Sequence, residues 1–340
     1  MIAWAHAIGL RSMIEARILD AKITAVYDID PQRAAGLADA SRARTARSLT
    51  EAIEQCDALW VCTPTACHYE AVEEAAQRGR AVFCEKPLAT TLAGAEALAQ
   101  TVADSGVAAQ VGLVLRSTPV FRALRALTES GDLGRPMVAV FRDDQYFPIQ
   151  GLYASTWRSD SKVAGGGCLI EHSIHDVDIL RFCLGEVTKV ACRTSNISGM
   201  GDVEDVATVS LDFASGATAS LTSVWHDITN RGSSRRVELF FERAMVWLDK
   251  DFLGPLHVQS APGVEVVRCP SPQWVDELPL AHDEMGLAVR MYVEADRAFA
   301  DAVCDGRQPE PSLVDAVVAH RIVDAAYRSA AMNGTPLPLR

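Results

Sequence analysis

The residues best suited to chemistry lie in one short segment that follows three consecutive glycines. Glu171, His175 and Asp178 are spaced at i, i+4 and i+7, so on an α-helix they would share one face. Histidine is the side chain whose unperturbed pKa lies nearest neutrality, and a carboxylate one turn away fixes its tautomer and stabilises the imidazolium. The spacing therefore predicts a site that takes up and releases protons.

Two other interpretations fit the same segment. A capped, solvated helix end after a glycine loop would carry the same charges without any chemistry. His172 and His175, with Glu171 and Asp176, would offer metal-ligating side chains, but a His-x-x-His pair within one helix has no second, separated pair of ligands. We therefore expect no metal site.

A second candidate is Lys86, which directly follows a continuously apolar strand-like run. An earlier apolar run ends at Thr63-Pro64, with a helical stretch between the two, as expected for parallel strands covered on both faces. Open α/β sheets bind ligands beyond the carboxyl ends of their strands, which is where Lys86 lies. Pro87 keeps Lys86 out of helical geometry and permits a cis peptide. A solvated lysine would give the same pattern.

The elements that must position these residues follow two patterns. Residues 1 to about 115 alternate helix and strand, which is typical of a doubly wound, Rossmann-like α/β domain, here over 1–115 and lacking its first strand. Residues 116–340 predict an α+β domain with a large, mostly antiparallel open sheet, closed by helices that can pack back on the first domain. Predicted strands lie near 22–27, 58–62, 80–84, 108–113, 136–143, 187–196, 204–213, 216–226, 235–242 and 244–249, and predicted helices near 118–130, 165–184, 284–304 and 312–331.

Composition narrows the class of protein without identifying it. The 340 residues are 49% hydrophobic, yet no run approaches the ~18 to 20 apolar residues of a membrane helix. The formal net charge of −12 argues against nucleic-acid and anionic-membrane partners. Nine cysteines, an odd number without a Cys-x-x-Cys pair, look like thiols of a reducing compartment, so we expect a cytoplasmic protein.

Taken together, these motifs resemble the Gfo/Idh/MocA family of NAD(P)-dependent oxidoreductases over nearly the whole chain. The resemblance rests on Glu85-Lys86-Pro87, the glycines at 165–167 with the acid and histidine that follow, Thr63-Pro64 with His68, the Gly-Asp-Leu-Gly-Arg-Pro turn at 131–136, and Glu204-Asp205. It implies an enzyme that transfers a hydride between a nicotinamide cofactor and a hydroxyl carbon of a sugar, inositol or related polyol.

The resemblance also implies roles for the catalytic residues. His175 would be the general base, Lys86 would orient the substrate oxygen and stabilise its negative charge, and Glu171 or Asp178 would orient the imidazole. Glu171 stands where the family commonly has Asp, which adds one methylene to that side chain.

Cofactor contacts are expected at the strand ends and at the start of the chain. The expected residues are Ile2, Ala3, Asp28, Thr63, Pro64, His68, Glu85 and Lys86. An acidic residue at the end of the second strand binds the adenosine ribose hydroxyls and repels a 2′-phosphate, so Asp28 favours NAD over NADP. Asp30, directly before Pro31, is expected to cap the following helix.

The first residues resemble only the end of the family's glycine-rich turn, with Ala3 at its last position. The first strand and both earlier glycines are absent from the sequence, through either a gene start placed too far downstream or a true truncation. We expect the chain as printed to bind NAD poorly and to aggregate, because loss of a central strand leaves backbone groups unpaired. We also expect the nucleotide sequence upstream of Met1 to encode, in frame, an apolar strand followed by Gly-x-Gly.

Substrate contacts are expected from Arg116, from Trp157 and Arg158, which resemble the family's segment at the substrate entrance, and from His172. A solvated arginine and simple packing of the tryptophan are the alternatives. The resemblance implies a homodimer or homotetramer formed through the open sheet face of the second domain. Two other functions remain open on this scaffold, a sugar- or nucleotide-sensing regulator and a redox-neutral glycosidase that uses tightly held NAD.

Overall fold

The structure is a computed structural model that describes residues 1–151, 153–248, 251–281 and 284–339. The chain forms two compact units. The first comprises Met1–Ala89, Ala93–Val114 and Ser271–Ala316, and the second comprises Thr90–Leu92, Leu115–Pro270 and Val317–Arg340. The first unit therefore ends near residue 115, as predicted, but it also includes a later segment, Ser271–Ala316.

The helices are α1 (Ile2–Glu15), α2 (Pro31–Ser41), α3 (Leu49–Glu54), α4 (His68–Gln77), α5 (Leu92–Ser105), α6 (Pro119–Ser130), α7 (Ser161–Ala164), α8 (Ile174–Leu184), α9 (Gln273–Asp276), α10 (Glu284–Cys304) and α11 (Leu313–Ala331). The strands are β1 (Ala25–Val26), β2 (Arg44–Thr45), β3 (Ala58–Val61), β4 (Ala81–Cys84), β5 (Ala109–Val111), β6 (Pro136–Tyr146), β7 (Val187–Ser195), β8 (Val206–Phe213), β9 (Thr218–His226), β10 (Ser234–Phe241), β11 (Ala244–Leu248), β12 (Leu256–Ser260), β13 (Gly263–Val267) and β14 (Leu337–Pro338). Among the described residues, each helix is too short or too polar to span a bilayer.

The first unit has the predicted α/β pattern, with parallel strands separated by helices. β1 pairs with β2 in one sheet, and β3, β4 and β5 pair in that order in another. Among the strands that the structure describes, β1 and β3 belong to separate sheets. β4 is buried along its whole length, as an inner parallel strand should be.

The core of the first unit forms where α1 packs against α10 and the sheet. Met13, Phe83, Val293 and Phe299 are fully buried there, each with 0% of its surface exposed. Ala, Ile and Leu at helical spacing give α1 its apolar face, and burial of such a face supplies most of the stability of a short helix.

The second unit is built on a nine-stranded sheet in the order β13-β12-β11-β10-β6-β9-β8-β7-β14. Only the β6–β9 pair is parallel among these described strands, so the prediction of a large, mostly antiparallel sheet is confirmed. β12 and β13 were not predicted, because β13 is almost wholly exposed and lacks a buried alternate row. Residue 249 of the predicted strand 244–249 lies outside the described residues.

The predicted helix at 165–184 is wrong in its first part. Gly165 and Gly166 have φ of 92° and 157°, and a Cβ on Gly167 would lie 1.8 Å from the carbonyl oxygen of Glu204. These three glycines therefore form a loop, which leads into a π-helical turn, Cys168–His172. α8 begins only after Ser173. Glu171 thus precedes the α-helix that carries His175 and Asp178, so the three residues do not share one regular α-helical face.

Candidate active site

The site residues divide between the two units. Lys86 and the residues expected at the cofactor belong to the first unit, whereas Glu171, His175, Asp178 and the expected substrate contacts belong to the second. Each group is described within its own unit.

In the first unit, Lys86 leaves the carboxyl end of β4 beside a buried acid. Glu85 is 5% exposed, and its Oε2 accepts the backbone N–H of Lys86 at 3.3 Å. The Lys86–Pro87 peptide is cis. A Cβ on Gly112, just after β5, would lie 2.5 Å from Glu85 Oε1, so a larger residue there would displace this carboxylate. The sequence-predicted lysine therefore has a fixed backbone position at the expected sheet edge.

Glu85 also faces a buried histidine that sequence reasoning did not assign to the site. His6 Nε2 lies 3.0 Å from Glu85 Oε1, and His6 Nδ1 lies 2.6 Å from Asp296 Oδ1. Burial alone would lower the pKa of His6, but the two carboxylates outweigh it, Asp296 more than Glu85, and raise the pKa to about 10. His6 is therefore a cation at neutral pH.

Thr63, Pro64 and His68 lie beyond the end of β3. His68 is 1% exposed, and its Nε2 is 3.0 Å from the carbonyl oxygen of Thr63, so Nε2 carries a proton and donates to that oxygen. Burial lowers the pKa of His68, which keeps its ring neutral. The histidine thereby fixes the backbone of the Thr63-Pro64 turn.

Asp28 follows β1, and it is half-buried at the strand end. Its Oδ1 accepts the backbone N–H of Asp30 at 2.8 Å, which orients the side chain. Asp30 in turn caps α2 by accepting from Gln32 and Arg33, with Pro31 at the first helical position, so the predicted cap is confirmed. The two acids therefore have separate positions, one at the strand end and one on the helix.

These features of the first unit fit a dinucleotide. α1 begins at Ile2 without a side-chain cap, and the first N–H groups of a helix, here including those of Ile2 and Ala3, have no carbonyl partner within it. Such an end attracts phosphate, and a carboxylate at a strand end, such as Asp28, suits ribose hydroxyls.

In the second unit, two arginines hold the two carboxylates that flank His175. Arg158 Nε donates to Glu171 Oε1 at 2.5 Å, and its guanidinium lies 4.5 Å from the ring centre of Trp157. Glu171 is 3% exposed and His175 is 7% exposed. The alternative of a solvated helix end is therefore wrong for this segment.

Arg116 and Asp178 form the second of these pairs. Arg116 Nε and Nη2 donate to Asp178 Oδ2 and Oδ1 at 2.7 and 2.6 Å, a bidentate arrangement in which Asp178 is 1% exposed. Bidentate pairs of this kind are strong and directional. The structure therefore places His175, in the first turn of α8, on a segment that carries two arginine-bound carboxylates. The roles assigned to these residues from the sequence remain predictions.

The glycine loop before this segment is held by a buried acid. Glu204 accepts the backbone N–H groups of Gly167 and Leu169 at 2.8 and 3.0 Å and the hydroxyl of Tyr327 at 2.7 Å. Burial raises the pKa of Glu204. The loop and the π-helical turn therefore have fixed backbone positions. Because Glu171 belongs to this turn, the position of its backbone is fixed as well.

His172 points into a buried charge cluster beneath α8. Its Nε2 lies 2.9 Å from Asp143 Oδ2 and 3.1 Å from Arg235 Nη2, and Arg235 also donates to Asp176 and Asp251. Burial and the charge of Asp143 raise the pKa of Asp176 well above its usual value. Burial would also raise the pKa of Asp143, but Arg235 and His172 hold that pKa below its usual range. The two pKa shifts therefore favour a proton on Asp176, which that group can share with Asp143.

Sequence reasoning missed His6, Asp296, Asp143 and Arg235. Each stands at an inward position of an otherwise apolar face. A polar residue at such a position is the sequence signal that could have indicated a buried polar pair. The partners of such residues are far apart in the sequence, so the signal does not identify them. Within the described part of the chain, no group of three or more His, Cys, Asp or Glu side chains is arranged to hold a metal ion.

Two family models match this chain. The model described as "Oxidoreductase family, NAD-binding Rossmann fold" matches residues 8–113, and the "GFO/IDH/MocA C-terminal domain" matches residues 121–247. Both matches agree with the fold of the unit in which they lie.

Relatives and solved structures are also similar to this chain over most of its length. Inositol 2-dehydrogenase of Rhizobium meliloti (strain 1021) is 30% identical over 92% of this chain and 90% of its own length. The NAD(+)-dependent scyllo-inositol 2-dehydrogenase of Bacillus subtilis (strain 168) is 29% identical over 83% of this chain and 78% of its own. A levoglucosan dehydrogenase, solved with NADH and levoglucosan, shares the fold with a TM-score of 0.85 at 21% identity, covering 100% and 96% of the two chains. The chain therefore belongs to the Gfo/Idh/MocA family of NAD-binding oxidoreductases.

Proposed function

We propose that this chain is an NAD-dependent dehydrogenase that oxidises a secondary hydroxyl of a sugar, inositol or related polyol, or reduces the corresponding ketone. The proposal is carried by two observations, each within its own unit: the backbone of Lys86 is fixed at the end of β4, and His175 is buried on a segment whose two acids, Glu171 and Asp178, are bound by arginines. The names of the relatives, inositol 2-dehydrogenases among them, support this substrate class.

Each residue has a defined part in this reaction. His175 takes the hydroxyl proton as general base, and Lys86 orients the oxygen and stabilises the negative charge that develops on it. The nicotinamide, when bound, accepts or supplies the hydride. Glu171 and Asp178, fixed by Arg158 and Arg116, orient the imidazole and favour its protonated form by their negative charge.

The substrate contacts follow from the same geometry. Trp157 and Arg158 present an aromatic face and a guanidinium, which suit the apolar and polar faces of a sugar ring. Arg116 and His172 contact substrate, in this proposal, from positions set by Asp178 and Asp143. Thr63, Pro64, His68 and Glu85 line the nicotinamide side, and Ile2, Ala3 and Asp28 lie at the pyrophosphate and adenosine ribose.

The test is NADH formation from a panel of inositols, aldoses and anhydrosugars. Lys86→Ala and His175→Ala should each lower turnover at least ~100-fold, because a positioned acid–base group contributes ~10² to 10⁴-fold. Binding of NADH, measured by fluorescence titration, should change little. Lys189→Ala and His257→Ala, on β7 and β12, are matched controls that should leave turnover unchanged. Turnover retained in both active-site variants would remove these residues from the chemistry.

The panel also separates the two alternative functions. A redox-neutral glycosidase releases product without net NADH, and a regulator binds ligand without turnover. Steady NADH formation that depends on Lys86 and His175 excludes both.

We further propose that the chain forms a homodimer or homotetramer through the open face of the nine-stranded sheet. Val140 on β6 and Phe240 on β10 lie on that face and are 42% and 36% exposed. The cysteines of the chain are all free, which supports a reducing, cytoplasmic location.

A further inference from the structure

His6 is a buried charged residue for which the proposed reaction has no use. It lies on α1 and is 2% exposed, and both of its ring nitrogens face carboxylates, Asp296 at 2.6 Å and Glu85 at 3.0 Å. An ionised carboxylate only accepts hydrogen bonds, so both contacts are satisfied only when both nitrogens carry protons. His6 is therefore an imidazolium that joins α1, α10 and the end of β4.

The surroundings allow this imidazolium one orientation. The rings of Phe83 and Tyr292 meet it edge-on, with centroids 5.0 and 4.9 Å away. Asp296 is fully buried, and its Oδ1 also accepts the indole N–H of Trp60 at 2.9 Å. A ring packed on its sides and bonded at both nitrogens cannot turn without breaking buried hydrogen bonds, each of which is costly to lose.

Glu85 connects this cluster to the lysine of the site. One of its oxygens meets His6, and the other accepts the backbone N–H of Lys86 at 3.3 Å. The space beside the carboxylate is closed by Gly112, where even a Cβ would lie 2.5 Å from Oε1. The carboxylate that holds the Lys86 peptide group is thus itself held by His6.

We propose that His6 is a positioning residue for Lys86: by fixing the Glu85 carboxylate, it sets the direction in which Lys86 leaves β4. The inference rests on the proposed role of Lys86 in the reaction. It assigns a function to the first helix of the chain, far in sequence from the lysine it serves.

Two amide substitutions separate this role from plain stabilisation. In His6→Asn the side-chain amide takes the place of Nδ1 and can still meet Asp296, whereas in His6→Gln it takes the place of Nε2 and can still meet Glu85. Both variants lose the same charge. His6→Asn should lower kcat ~10 to 100-fold with KM for NAD and substrate nearly unchanged, because small misplacements of a reacting group cost about this much. His6→Gln should retain most of the turnover.

Trp60→Phe is the matched control, since it removes a hydrogen bond from Asp296 and leaves both residues of the His6–Glu85 contact unchanged. It should lower thermal stability without lowering kcat. In a double-mutant cycle, His6→Asn combined with Glu85→Gln should be no slower than Glu85→Gln alone, because the two residues act through one contact.

Amide hydrogen exchange gives a readout independent of turnover. The peptide spanning 85–92 should exchange faster in His6→Asn than in His6→Gln or the wild type. Equal exchange and equal kcat in His6→Asn and the wild type would overturn the inference. So would a loss of kcat that is proportional to the loss of thermal stability in His6→Asn, His6→Gln and Trp60→Phe. If Lys86→Ala leaves turnover intact, the proposed reaction fails, while the exchange result still decides whether His6 fixes this turn.

Discussion

At the level of single residues, we predict that cofactor choice depends on the carboxylate of Asp28. Its charge should repel a 2′-phosphate, so kcat/KM should favour NAD over NADP by at least ~10-fold, about 1.4 kcal/mol. Asp28→Ala should reduce this ratio. Asp30→Ala is the control, because it removes the cap of α2 and costs ~1 kcal/mol of stability while leaving the ratio unchanged. Equal efficiency of the wild type with both cofactors would show that Asp28 does not face the ribose.

A second prediction at this level concerns the proton on Asp176. Asn at this position keeps an acceptor for Arg235 and a donor for Asp143, so Asp176→Asn should change stability by less than ~1 kcal/mol. Asp143→Asn leaves Arg235 and His172 without their anion and should cost ~3 to 5 kcal/mol. Urea unfolding measures both.

The pH dependence of stability tests the same assignment. The pKa of Asp176 is raised in the folded protein, so between about pH 4 and that raised pKa the folded state holds more protons at this group than the unfolded state. This group therefore makes stability fall as the pH rises from about 4, and Asp176→Asn should remove its share of that slope. If Asp176→Asn lowered the free energy of unfolding as much as Asp143→Asn does, at both pH 5 and pH 8, the assignment of a proton to Asp176 would be contradicted.

At the level of elements, His6 ties α1 to α10 by a charge that high pH removes. Its pKa is raised to about 10, so its stabilisation is fully present below the unfolded value of 6.5 and is lost as the pH rises through about 10. The free energy of unfolding should fall by up to ~1.4 kcal/mol per pH unit within that window. Denaturant unfolding at pH 7, 8.5 and 10 measures it. An equally steep fall in His6→Gln would place the effect elsewhere.

The elements also show how far the sequence determines this fold. The apolar runs of β3, β4 and β5 and the apolar periodicity of α6 and α11 are local signals, and they predicted those elements within a few residues. The π-helical turn at Cys168–His172 depends instead on Glu204, which binds backbone N–H groups more than 30 positions away. Lys86 and His175 stood out because of their motifs, whereas His6 and Asp296 did not, since their pairing exists only after α1 and α10 have packed.

At the level of the whole molecule, the open sheet face decides the proposed state of assembly. Val140→Lys places a charge in the middle of that face. It should shift the mass measured by light scattering from that of an oligomer toward that of a monomer, because a charge at the centre of an interface loses its water without gaining a partner. Val264→Lys is the matched control: Val264 is an exposed valine too, 57% accessible, but it lies on β13 at the edge of the same sheet. It should leave the mass unchanged. A wild-type protein that is monomeric at micromolar concentration, or two variants with the same mass as the wild type, would show that this face does not bind a second copy of the chain.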